Sequence, residues 1–138
     1  MLKFLGFEIR APLDCIFYTA RLRIYKHSAK YEILNLPHDQ KEETTLYKNK
    51  QLPIKKPELL SAWESLNINS WDDEYFPPMG VIVCDGLEWE LVYREEGQKS
   101  RHIFGKNAYP PNWKQFILWI DALMPEMKFA DFSDLENF

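Results

Sequence analysis

The alternation between residues 87 and 94 constrains this chain more than any other feature. Leu87, Trp89, Leu91 and Tyr93 are large and apolar, while Glu88, Glu90 and Arg94 between them are charged. A period of two places the first set on one face of a β-strand and the second on the other. Residues 81–84 before it are a short apolar run. Asp85-Gly86 is a two-residue turn in which glycine takes the positive φ of a tight hairpin. Glu95-Glu96-Gly97-Gln98 supplies another turn and residues 100–104 another strand. The expectation is a three-stranded antiparallel meander with one apolar and one mostly charged face.

An apolar sheet face needs a cover, and the chain supplies two helices for it. Pro110-Pro111-Asn112 opens a helix over about 111–123, which Pro125 stops. Trp113, Phe116, Ile117, Ile120 and Leu123 fall on one side of it, and Leu118 and Trp119 widen the arc. Pro57 starts a second helix, to about Leu66, whose stripe is Leu59, Leu60, Trp63 and Leu66. In the amino-terminal half, Ile16, Tyr18, Ala20, Leu22 and Ile24 alternate with Thr19, Arg21 and Arg23. A turn at 27–30 and a strand over 31–36 complete a long hairpin. Residues 3–10 read as a short edge strand, and 37–56 as a polar connection without periodicity. The fold class expected is therefore α+β: an antiparallel sheet, amino-terminal hairpin plus carboxy-terminal three-stranded meander, packed by two main helices. About five strands are expected.

The chain has 138 residues, 46% apolar and 15% aromatic, which suits one domain with one core over 1–138. The tail from 127 to 138 is acidic and is expected to fray. No apolar run approaches the ~20 residues of a membrane span. Glu8 and Arg10 interrupt the stretch a signal peptide would need, so a cytoplasmic location is expected. Cys15 and Cys84 then read as buried free thiols in a reducing compartment.

Residues that could carry chemistry are few. His27, His38 and His102 lie far from one another and from both cysteines, so metal-ligand spacing is absent and no cofactor is expected. There is no nucleophile elbow, phosphate-binding glycine loop or dinucleotide fingerprint. Asp72-Asp73-Glu74 lacks the alternating oxygens and the glycine of a calcium loop and reads as an exposed acidic segment. Glu88 and Glu90 share the charged face of one strand. They could serve carboxylate-dependent hydrolysis only if a second element, another acid or His102, completed a cleft. Otherwise they form a solvated or partner-binding face. Trp71, Trp89, Trp113 and Trp119 read mainly as core.

Charge is divided along the chain. The net charge is −4, against the basic surface of a general nucleic-acid binder. Residues 1–69 carry +3 and residues 70–138 carry −7. An acidic half suits a basic partner.

Trp71 with Tyr75, Asp85-Gly86 with Trp89, then Gly105-Lys106-Asn107-Ala108-Tyr109-Pro110 and Trp113 form a pattern over roughly 60–123. It resembles one found in small bacterial proteins, some of which are immunity partners of polymorphic or contact-dependent growth-inhibition toxins. The matching residues have structural roles: Asp85 and Gly86 for the turn, Trp89 beneath the closing helix, Gly105 for close approach, and Asn107 for loop backbone groups. The resemblance implies an immunity protein that binds a cognate toxin, possibly a nuclease, in the cytoplasm. The acidic half gives the candidate interface: Asp72, Asp73, Glu74, Glu88, Glu90, Glu95 and Glu96, with Trp71 or Tyr75 as aromatic anchors. The competing readings are a non-catalytic or phage-related assembly module and, third, the hydrolase.

Overall fold

The computed structural model describes residues 1–11, 16–35, 44–80 and 87–129. Cys15, His38, Cys84, the expected strand at 81–84, the Asp85-Gly86 turn and residues 130–138 lie outside the described residues. The elements are β1 (Leu2–Ala11), β2 (Ile16–Ile24), β3 (Ala29–Asn35), β4 (Thr44–Gln51), α1 (Lys56–Leu66), β5 (Glu74–Tyr75), β6 (Glu88–Glu95), β7 (Arg101–Lys106) and α2 (Trp113–Leu123). A single 3-10 turn, Ile68–Ser70, follows α1. The fold is α+β, with two helices on a mostly antiparallel sheet, as the patterning predicts.

The sheet itself is larger than expected. Seven strands run in the order β4-β3-β2-β1-β6-β7-β5, and only the short β5–β7 pair is parallel. The segment read as an edge strand is β1, at the centre. It pairs antiparallel with β2 on one side and β6 on the other. Both edges of β6 are thus taken, by β1 and β7. The polar connection at 37–56 contains β4, and the irregular segment after Trp71 contains β5. The turn of the amino-terminal hairpin is tighter than 27–30: Tyr25 N donates to Ser28 O at 2.7 Å, and β3 already begins at Ala29.

One face of the sheet holds the core. Leu5, Phe7 and Ile9 of β1 lie beside Leu22 and Ala20 of β2, and beside Tyr93, Leu91 and Trp89 of β6. Both helices cover this face. Phe7 meets the α2 ring of Phe116 edge-on at 5.2 Å, and Trp63 of α1 meets Tyr93 at 5.0 Å. On α2, Trp113, Phe116, Ile117, Trp119, Ile120 and Leu123 are all buried, each contributing roughly 1.5–3 kcal/mol. Leu118 is instead half exposed. α1 stops where Asn67 turns left-handed, its N–H returning to Glu64 O.

Met127 and Phe129 are buried, and Phe129 meets Phe7 edge-on at 5.0 Å. The Tyr31 hydroxyl donates to Glu126 at 2.7 Å and binds this segment to β3. Burial and that bond to a carboxylate hold the Tyr31 hydroxyl above its ordinary pKa.

Asn112 joins the two helices. Its Oδ1 accepts from the Trp71 indole N–H and its Nδ2 donates to Leu66 O, both at 2.7 Å. Asn112→Ala removes both partners at once. It is expected to cost about 2 kcal/mol in urea denaturation, the penalty for leaving buried polar groups unmet. A loss under about 0.5 kcal/mol would show that water replaces the amide.

Candidate partner-binding face

Among the described residues the other face of the sheet carries no helix, and its residues follow from the strand register. Across it run three rows. Glu74, Phe104, Glu90, Glu8 and Thr19 form one row across β5, β7, β6, β1 and β2. Lys106, Glu88 and Arg10 form a second, and His102, Val92, Gly6, Arg21 and Glu32 a third. β2, β3 and the end of β6 add Arg23, Lys30 and Arg94 beside Phe4.

Both signs of charge occur on this face. The β5–β7–β6–β1 side holds Glu74, Glu88, Glu90 and Glu8 together with Arg10, Arg94 and Lys106, and the β2–β3 side holds Arg21, Arg23 and Lys30 with Glu32. Phe4, lying over Gly6, and Val92 form a neutral seam between them. Glu88 lies between Arg10 and Lys106, each at 3.6 Å. Glu32 serves Arg23 at 3.3 Å and Arg21 at 3.6 Å. The Arg23 guanidinium also lies 5.6 Å from the Phe4 ring centre.

Glu8 and Glu90 are direct cross-strand partners in the register. Like charges placed this way destabilise a sheet. Glu90 has His102 Nδ1 at 3.3 Å, but Glu8 has no ion pair among the described residues. At the β7 edge Phe104 and the exposed Phe76 lie 5.7 Å apart, beside Glu74.

The residues expected to meet a partner do not form one patch. Glu74, Glu88 and Glu90 lie on this face. Asp72 and Asp73 are exposed on the segment leading into β5, where Asp73 accepts from Arg101 at 3.0 Å. Glu96 is at the end of β6, 3.9 Å from Lys3. Glu95 turns to the helix side, accepting from the Trp63 indole at 3.1 Å. Trp71 is buried, with its indole N–H on Asn112, so it packs the core and is not presented as an anchor. Tyr75 is partly buried, and its hydroxyl accepts from Asp72 N at 2.9 Å.

Glu8, Arg10, Phe4 and Phe104 join the face without having been singled out from the sequence. Glu8 and Arg10 alternate with Phe7 and Ile9, and that pattern was the available signal.

The hydrolase reading needed a cleft around Glu88 or Glu90. The fold does bring Glu90 to His102 and Glu8, but on an open sheet where the His102 side chain is 66% exposed. The nearest hollow, about 340 Å³, is lined by Asp73, Glu74, Ser100, Arg101, His102 and Phe104. Among the described residues no three His, Cys, Asp or Glu side chains converge as a metal site would require. No helix among them is long and apolar enough to cross a membrane. Comparisons with protein-family profiles, with curated proteins and with solved structures find no match, so what this face binds rests on its own chemistry.

Proposed function

We propose that this chain is an immunity protein that neutralises a cognate bacterial toxin, a nuclease being one candidate, by docking the sheet face opposite the helices on a basic surface of that toxin in the cytoplasm. The observation that carries the proposal is the Glu8–Glu90 pair. Two carboxylates are cross-strand partners on the face that carries no helix among the described residues, an arrangement that costs a sheet stability. A cation from a partner relieves that repulsion on binding. Glu74 adds a further exposed carboxylate, and Phe104 with Phe76 offers an apolar contact at its edge. Such an arrangement speeds encounter and sets orientation with a positively charged partner.

The test uses the protein encoded beside this chain's own gene, expressed as a growth inhibitor. The wild-type chain is expected to rescue growth and form a one-to-one complex. Glu8→Lys with Glu90→Lys is expected to weaken that complex at least 100-fold, within the range measured for close interfacial charge pairs. Glu58→Lys, on the exposed face of α1, should leave it unchanged. Equal rescue by the folded double variant would remove this face from the interface. Failure of the wild type to bind or protect would remove the immunity reading.

One observation favours a second reading, self-assembly. The face carries carboxylates and cations in turn, so a two-fold partner copy could set one against the other. Sedimentation of the chain alone separates the two. A dimer that dissociates in salt and in the same double variant would place this face between copies.

A further inference from the structure

On the helix side of the sheet, a cavity of about 430 Å³ opens between the end of α1 and the end of β6. Met1, Leu2, Leu60, Trp63 and Ile68 line its apolar side, and Glu64, Asn67, Asn69 and Glu95 line its polar end. That volume falls within the range of small-ligand sites.

Two carboxylates and a helix C-terminus meet at the polar end in a fixed geometry, with the Arg101 guanidinium behind it on Ile68 O, Asn69 O and the Tyr93 hydroxyl. The Glu95 carboxylate accepts the Trp63 indole N–H at 3.1 Å, which orients it and leaves its remaining lone pairs free. Asn69 is held by the Tyr93 hydroxyl, which donates to its Oδ1 at 2.6 Å. α1 ends here with Glu64 and without a basic residue in its last turn, so the negative end of its dipole is uncompensated by the helix's own side chains. Neither Glu64 nor Glu95 has an ion pair among the described residues. Trp63 is itself held in place by Tyr93 and Trp119.

We propose that this cavity binds an alkylguanidinium or alkylammonium group, with the aliphatic stem along Met1 and Leu60 and the cation between Glu95 and Glu64. A free small amine and an arginine or lysine side chain share this chemistry. The cavity lies on the opposite side of the sheet from the Glu8–Glu90 face, and its test uses small molecules, so it stands or falls apart from the immunity reading.

The full chain, labelled with nitrogen-15, is titrated with agmatine, with N-acetyl-arginine methylamide and with the uncharged isostere N-acetyl-citrulline methylamide. The indole N–H resonance of Trp63 reports binding, because that group donates to Glu95. Both guanidinium probes are expected to shift it saturably and the citrulline probe is not. Glu95→Gln and Glu64→Gln should each weaken binding about fivefold or more, as expected for losing a charge-assisted contact. Tighter binding of agmatine would assign the site to free amines. Tighter binding of the blocked arginine would assign it to a side chain. The absence of a saturable shift, an equal response to citrulline, or unchanged affinity in both glutamine variants would overturn the proposal. Glu64 is exposed and its side chain holds no contact of the fold, so Glu64→Gln decides the matter if Glu95→Gln does not fold.

Discussion

Gly105→Ala is expected to lower the stability of this protein by about 3 kcal/mol, and Gly105→Val to prevent folding. Replacing a strand glycine by alanine ordinarily stabilises by about 0.4–1 kcal/mol, because the unfolded chain loses freedom. Here the sign reverses for a steric reason. Gly105 is the register partner of Trp89, and a Cβ at 105 would overlap the indole ring itself. Trp89 has nowhere to go. It is fully buried, its N–H donates to Ala108 O at 3.0 Å, and its ring lies 4.6 Å from that of Trp113. Tyr75 and Trp71 close two further sides, at 6.0 and 6.1 Å between ring centres.

Urea denaturation measures the loss, and a double-mutant cycle identifies its cause. Trp89→Leu alone opens a cavity and is expected to destabilise. Combined with Gly105→Ala it should cost clearly less than the sum of the two single changes. Additive effects would show that the methyl group at 105 does not act through the indole.

The Gly105–Trp89 pair also shows what the sequence discloses and what it withholds. That Gly105 ends a strand, that Trp89 points inward and that α2 covers it all follow from local periodicity. So do α1, α2 and the faces of β2 and β6, because each carries its own alternation or stripe. Strand order does not follow. The alternation of Leu5, Phe7 and Ile9 with Glu8 and Arg10 is visible, but nothing local says that β1 pairs on both sides. That depends on contacts between segments some 80 residues apart, as in Phe7 beside Leu91. β4 is hidden for another reason. It is an edge strand, and its exposed Lys48, Asn49 and Lys50 are the polar residues that discourage further pairing. Only Tyr47 of that strand packs partly on the core, so no periodicity survives to announce it.

The candidate face follows the same division. Glu88 and Glu90 were legible as one side of a strand. Their juxtaposition with Glu8 and Arg10 needed the strand order, and the inward turn of Glu95 needed the position of Trp63. Trp71 shows the limit of reading neighbours together: its flank, Asp72-Asp73-Glu74, is exposed, yet its own ring is buried between Trp89 and Phe116.

Arg101→Met is expected to cost about 3–4 kcal/mol, more than any single change among the surface acids. Arg101 fastens the segment between α1 and β5 to the sheet. Nη1 donates to Ile68 O at 3.1 Å, to Asn69 O at 3.4 Å and to the Tyr93 hydroxyl at 3.2 Å. Nη2 donates to Trp71 O, and Nε and Nη2 reach Asp73 Oδ1 at 3.1 and 3.0 Å. Burial opposes the charge on this guanidinium, but the bonds to Tyr93 and Asp73 outweigh it and raise its pKa. It therefore stays charged wherever the protein is folded.

The partition of that stabilisation is itself testable. The Asp73 side chain is 74% exposed, so Asp73→Ala should cost less than about 1 kcal/mol. Most of the effect of Arg101 then comes from the carbonyls of Ile68, Asn69 and Trp71, which only a planar five-donor fork can meet together. Lysine offers a single point charge, so Arg101→Lys should recover less than half of the loss. Release of this segment should appear locally as well, as faster hydrogen exchange at Phe104 N, which donates to Asp73 O at 2.9 Å. If Asp73→Ala proved as costly as Arg101→Met, the ion pair would be the fastening and the carbonyl contacts incidental. If Arg101→Lys matched the wild type, charge alone would suffice, and Glu74 and Tyr75 would owe their place at the β7 edge to the β5 pairing rather than to the guanidinium behind it.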